Sequence, residues 1–192
     1  MLFNAPNLIT MSRIILIPLI IGIYYVPGEW LSMETKNIAA TAVFILAAVT
    51  DWLDGYVARR LNQMSAFGAF LDPVADKLIV VGALVVLLSL EPPRVDPFVA
   101  LIIIGREIAV SALREWMAKL GQAKSVAVAF VGKLKTVSQM VAIPLLLYHD
   151  SLLDLVDCQW LGTLLINIAA VLTVISMLYY LRKALPHASI GP

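Results

Sequence analysis

The sequence predicts an all-α integral membrane protein of six transmembrane helices with both termini cytoplasmic. The first reason is apolarity: 61% of the 192 residues are hydrophobic and the mean hydropathy is +0.91. The second is scarcity of charge. Only 14% of residues are charged, against about 25% in a typical soluble domain, too few to cover the surface of a 21.0 kDa globule. The third is how those charges are distributed along the chain. Together they exclude a soluble cytoplasmic enzyme and a disordered chain, and a formal net charge of +1 excludes a nucleic-acid binder. Cys158 is the only cysteine, so neither an internal disulfide nor a cysteine zinc cluster is available. Met1 to Thr10 has no basic n-region and no small-residue cleavage site, so no signal peptide is expected. Residues 1–192 read as one domain.

A hydrocarbon core needs about 20 apolar residues per helix, and six stretches answer to that: 8–26, 37–60, 72–90, 97–118, 126–148 and 159–182. The first ends at Pro27-Gly28. The second stays apolar until Asp51, and the third becomes apolar only after Lys77. Pro92-Pro93 separates the third from the fourth, which Arg106 and Glu107 interrupt. Gly121 closes the fourth, and Lys133 and Lys135 interrupt the fifth. The sixth runs free of charge from Cys158 to Leu181.

Three connections carry Glu29, Glu34, Lys36, Glu91, Arg94, Asp96, Asp150, Asp154 and Asp157. They hold only two of the fourteen Lys/Arg residues but seven of the thirteen acids. The other cations gather on the opposite side, which marks that side as cytoplasmic. Lys119, Lys124, Arg182 and Lys183 are read as topology charges only. The charges inside the spans lie between the midpoint, where Arg106 and Glu107 fall, and the cytoplasmic end. A charge in lipid costs at least about 2.5–3.5 kcal/mol on insertion scales, so these side chains are expected to face one another, ions or water in a polar cavity. The depth suits a reacting group at the level of the lipid phosphates.

The segment Asp51 to Asp76 carries the chemistry. Asp51, Asp54, Gly55 and Ala58 fall at i, i+3, i+4 and i+7, and Gly68, Asp72 and Asp76 at i, i+4 and i+8, each set on one helical face. A short turn joins the two helices, so they are expected as antiparallel neighbours whose acidic ends meet. Pro73 leaves two orientations open for Asp72, on the stripe or as an N-cap. Four carboxylates in one apolar cleft need cations, and hard divalent ions suit oxygen ligands. Two Mg²⁺ or Mn²⁺ ions about 3.5–4 Å apart are the expectation. Zinc is not expected, because the histidines, His149 and His187, lie far from the acids in sequence. Small residues in membrane helices usually mean tight packing, but four aspartates on two stripes beside Arg59 and Lys77 do not read as packing.

At these residues the chain resembles the CDP-alcohol phosphotransferases, whose motif D-x2-D-G-x2-A-R-x8-G-x3-D-x3-D is met at every fixed position: Asp51, Asp54, Gly55, Ala58, Arg59, Gly68, Asp72 and Asp76. The stretches FGAFLDPVADK, REIAVSALREWMA and VGKLKTVSQM are similar to the bacterial phosphatidylglycerophosphate synthase branch of that family. The resemblance implies transfer of a phosphatidyl group from CDP-diacylglycerol to sn-glycerol 3-phosphate with release of CMP. It also implies a cytoplasmic (inner) membrane location and a homodimer among membrane lipids. Carried over, Asp51, Asp54, Asp72 and Asp76 would hold the metals, and Asp76 would double as general base. Gly55, Ala58, Arg59, Gly68 and Ala69 would line the CDP pocket, and Asn7, Thr10 and Arg13 would also touch the donor.

The acceptor brings a phosphate dianion into a site rich in Asp, so a separate basic pocket is expected. Arg106, Arg114, Lys133 and Lys135 are its candidates. Arg106 and Arg114 lie about two turns apart on one face, and guanidinium forks suit phosphate. The competing reading is positive-inside charge or contact with anionic lipid. Glu107 stands as either an orienting partner of Arg106 or a packed ion pair, and Glu115 as a surface charge. Other acceptors (serine, phosphatidylglycerol, an inositol phosphate) remain alternatives, because the core motif handles the donor. A divalent-cation or proton-coupled carrier also places acids in its spans. Here the acids gather at one face beside Arg59, and no matched pair of broken segments is present. Tyr24, Tyr25, Trp30, Trp160, Tyr179 and Tyr180 read as an interfacial belt, with Trp52 and Trp116 on the cytoplasmic side.

Overall fold

The computed structural model describes residues 5–61, 66–122, 130–152 and 155–187, and within them every side chain except those at 5–7, 52–61, 66, 69, 130, 131 and 187. The helices among these residues are α1 (Ala5–Tyr25), α2 (Met33–Leu61), α3 (Ala66–Ser89), α4 (Pro97–Lys119), α5 (Phe130–Tyr148) and α6 (Cys158–Ala184). A small antiparallel hairpin, β1 (Ser151–Leu152) and β2 (Val156–Asp157), precedes α6, and a 3₁₀ turn (Leu185–His187) follows it. Each expected span overlaps one helix, the start of the fifth (126–129) lying outside the described residues; the hairpin was not expected.

Three helices are long and apolar enough, among the described residues, to cross a membrane by length and composition: Leu8–Tyr25, Met33–Asp51 and Cys158–Ala184. Asp72, Asp76 and Lys77 interrupt the apolar run in α3. Arg106, Glu107 and Arg114 do the same in α4.

Local chemistry sets the helix ends. Asp96 caps α4 through Phe98 N–H (2.8 Å) and Val99 N–H (3.4 Å), with Pro97 at the first helical position. The same helix stops at Gly121, whose φ of 72° lets Gly121 N–H reach Ala118 O (3.0 Å) and Gln122 N–H reach Met117 O (2.8 Å). Asp157 caps α6 through Trp160 N–H at 2.9 Å. The second helix starts at Met33 rather than 37, because Ser32 accepts from Thr35 N–H at 3.3 Å and Glu34 sits in the first turn. The third starts at Ala66 rather than 72. Pro73 lies inside it, so Asp72 is not an N-cap. One proline forfeits a single backbone bond, and neighbouring groups in a helical bundle accommodate it.

The most extensive pairing is α5 with α6. The first helix lies along both α2 and α3, α4 packs on α6, and α2 on α5. The motif helices α2 and α3 therefore meet mainly through α1 rather than along their own length. Two glycines permit close approach. A Cβ at Gly82 would stand 2.8 Å from Ile17 Cγ2, and one at Gly162 would stand 2.9 Å from Leu146 Cγ. The core joins Ile20, Phe44, Leu84, Ile103, Leu146 and Ile166 from all six helices.

Around this core several cations are buried while many large apolar side chains face outward. Arg13 is 1% exposed and Lys135 2%, while Ile15, Leu101 and Ile108 are each about two-thirds exposed. Such a surface suits lipid as the outer solvent. At the end of the bundle away from the motif, buried Arg94 donates to Leu147 O (2.8 Å) and Leu146 O (3.2 Å), the last carbonyls of α5, and to Asn37 Oδ1 (3.0 Å). A cation at a helix C-terminus also complements its dipole. Next to it, buried Lys36 donates to Val26 O at 2.5 Å. His149 ends α5 with φ 70°, and burial, then the Arg94 charge, holds its pKa below the usual imidazole value.

Arg94→Met orphans two buried carbonyls and should lower stability by about 1–3 kcal/mol, read as a fall in the thermal midpoint in detergent. Gly162→Val should destabilise by about 1–3 kcal/mol through overpacking against Leu146, in the same assay.

Candidate active site

The acids are gathered by α1. Thr10 and Arg13, one turn apart on its inner face, are both buried. Arg13 Nη1 donates to Asp51 Oδ1 of α2 at 2.8 Å and to Asp76 Oδ1 of α3. Thr10 Oγ1 donates to Asp72 Oδ1 at 2.6 Å. Asp51 and Asp76 are each half exposed. A buried guanidinium needs paired anions, and two carboxylates this close need a shared cation, so each requirement meets the other. Thr10 and Arg13, expected to touch the donor, lie on the aspartates themselves.

Gly68 is buried beside this cluster. Asp54, Gly55, Ala58 and Arg59 belong to α2 and Ala69 to α3, and Asn7 to α1. Their side chains lie outside the described residues.

Facing the acids across a cavity of about 370 Å³ is a basic wall. Buried Arg106 donates to Ser176 Oγ of α6 at 3.2 Å and to Glu107 Oε1 at 3.4 Å. Lys135 Nζ of α5 donates to the same Glu107 oxygen. Arg114, at the rim, donates to Tyr180 OH at 3.3 Å. The Tyr180 ring carries both guanidiniums, with Arg106 5.8 Å and Arg114 5.4 Å from its centroid. The lining side chains include the cations Arg13, Lys77, Arg106, Arg114 and Lys135 against the acids Asp51, Asp76 and Glu107. Among the described residues the lining cations outnumber the acids, which suits an anionic ligand.

Of the expected basic residues, Lys133 does not line the cavity and is exposed. Two residues from Lys135, it lies about 200° around the helix. Glu107 does both things held open for it: it pairs with Lys135 and touches Arg106. Tyr180 is corrected. It is fully buried at the cavity rather than in an interfacial belt, whereas its neighbour Tyr179 is exposed. The sequence carried a signal for this: Thr173, Ser176 and Tyr180 fall at i, i+3 and i+7 in the apolar second half of the helix, before Arg182, and all three are buried. Gln139, which also lines the cavity, was missed.

The donor chemistry of the acidic wall fits a hard divalent ion. Carboxylate oxygens from two helices converge on one position that a cationic nitrogen holds. Among the described residues no three acidic, histidine or cysteine side chains form a group able to hold an ion; Asp54, the remaining motif acid, lies outside the described side chains.

A helical bundle with an acidic motif wall and a basic wall around one cavity is the architecture to which the family comparison gives a class. The profile of the CDP-alcohol phosphatidyltransferase family matches residues 3–177, and the chain belongs to that family. It is similar to proteins of Shigella flexneri serotype 5b (strain 8401), Escherichia coli (strain K12) and Escherichia coli O157:H7. Each is 47% identical over 184 residues, covering 96% of both chains, and each is named CDP-diacylglycerol--glycerol-3-phosphate 3-phosphatidyltransferase.

Arg13→Met leaves Asp51 and Asp76 facing each other without their cation. In divalent-free buffer the thermal midpoint should fall by the equivalent of about 1–3 kcal/mol, with the lower part of that range expected because both carboxylates are half exposed.

Proposed function

We propose that this chain transfers the phosphatidyl group of CDP-diacylglycerol to sn-glycerol 3-phosphate and releases CMP. The observation that carries the reading is the two-walled cavity, with acids from α2 and α3 on one side and Arg106, Arg114 and Lys135 on the other. The names of the full-length relatives support the same substrates.

In this reading the acceptor phosphate lies against Arg106 and Arg114, whose guanidinium forks match its oxygens. Lys135 adds a point charge, held in place by Glu107. The Asp76 carboxylate, open to the cavity, takes the proton of the acceptor's primary hydroxyl. The hydroxyl oxygen then bonds to the phosphorus carrying the diacylglycerol, and the bond from that phosphorus to the CMP oxygen breaks in line. Asp51, Asp54, Asp72 and Asp76 would hold two Mg²⁺ or Mn²⁺ ions, which supply neutralisation of the diphosphate and polarisation of its phosphorus. The Arg59 and glycine side of α2 is assigned to the CDP pocket on the motif resemblance.

We place the chain across the bacterial cytoplasmic membrane with six spans, both termini and the cavity on the cytoplasmic side. The supports are the charge asymmetry of the loops and the apolar outer surface. Homodimer formation rests on the family resemblance alone.

Purified protein given CDP-diacylglycerol, glycerol 3-phosphate and Mg²⁺ should release CMP, and chelation of divalent ions should stop it; a carrier would release none. Serine or an inositol phosphate in place of glycerol 3-phosphate should give little CMP. Asp76→Asn should keep the fold and lose about 10²–10⁴-fold in kcat; normal turnover would remove it as the base. Arg114→Ala should raise KM for glycerol 3-phosphate about tenfold or more, with the CDP-diacylglycerol KM little changed; an unchanged acceptor KM would count against the basic wall as the phosphate site.

A further inference from the structure

Gln139 stands on α5 one turn beyond Lys135 and lines the same cavity. Its residue is 3% exposed, and its Oε1 has no hydrogen-bond partner among the described residues. Buried amide oxygens are nearly always paired, because an unpaired one has given up water for nothing. Several polar groups of the same cavity are engaged with one another: Lys135 with Glu107, Arg114 with Tyr180, and Thr136 Oγ1 with Gly132 O at 3.0 Å. The neighbouring lining of Ala47, Ile79, Val80 and Met140 offers no side-chain hydrogen bond.

The proposed acceptor has three polar groups on a three-carbon chain. Its phosphate answers the basic wall and its reacting primary hydroxyl answers Asp76. That leaves a secondary hydroxyl, which needs a partner of its own, and among the described lining residues the Gln139 oxygen is the buried acceptor without one. We infer that Gln139 is a specificity-determining residue that hydrogen-bonds this secondary hydroxyl. The hydroxyl donates to Oε1, and should the amide be turned over it accepts from Nε2 instead, so the pairing survives either placement of the two atoms. A site with a buried polar group waiting for a hydroxyl rejects an acceptor that lacks one, because the protein group is then left unpaired. The inference rests on the reaction proposed above and adds a basis for choosing among three-carbon phosphates.

The test compares sn-glycerol 3-phosphate with 3-hydroxypropyl phosphate, which keeps the phosphate and primary hydroxyl and lacks the secondary one. CMP release is the readout. The wild-type chain should prefer glycerol 3-phosphate by about ten- to hundredfold in kcat/KM. In Gln139→Leu the preference should collapse to about twofold, through loss of glycerol 3-phosphate activity with the analogue's rate retained. Gln139→Glu, which keeps an acceptor oxygen at the same reach, should restore much of the preference. Gln139→Asn, one methylene shorter, should lose it, and serves in place of the leucine variant should that one fail to fold. A wild-type ratio in both the leucine and asparagine variants, or in asparagine alone if leucine does not fold, overturns the inference and leaves the reaction standing. No CMP from the wild-type chain with either acceptor overturns the reaction, and the inference with it.

Discussion

A single guanidinium organises the acidic wall. Arg13 is buried on α1 and reaches Asp51 and Asp76, residues of two different helices. Neither side of this arrangement is stable alone: a buried cation without anions is costly, and two carboxylates facing one space repel. Their mutual neutralisation ties α2 and α3 to α1 and explains why the motif helices need little contact with each other. Thr10 adds Asp72 to the same face one turn away. The convergence that the motif requires is therefore produced by a third helix that contributes no motif residue.

The basic wall obeys the same constraint with opposite sign. Arg106 and Lys135 are buried cations on different helices, and Glu107 touches both. Tyr180 supplies an aromatic face that spaces Arg106 from Arg114 and an oxygen that accepts from Arg114. Among the described residues the lining cations still outnumber the lining acids. The wall is thus preorganised internally while keeping positive charge for an incoming phosphate.

At the far end of the bundle, Arg94 and Lys36 spend their charge on backbone carbonyls. Both residues sit in connections by sequence, yet both are buried. They close off helix ends whose carbonyls would otherwise lack partners in an apolar interior. The buried cations among the described residues therefore serve two purposes separated by the length of the helices: fixing the fold at one end, and facing anions in a cavity at the other.

The amino-acid sequence by itself determined the six helical segments, the acidic face of each motif helix, the sidedness of charge and the family. These are local properties: periodicity places Asp51 with Asp54, and Asp72 with Asp76, whatever surrounds them. The tertiary structure alone decided which face meets which. Arg13 finds Asp76 across 63 residues and Arg114 finds Tyr180 across 66, distances over which periodicity carries no information. It also separated Lys135 from Lys133, moved Tyr180 from an assumed outer belt to the cavity, and left the Gln139 oxygen inside without a partner among the described residues. A helix dictates which of its residues share a side, but burial and pairing depend on the neighbour that packs there.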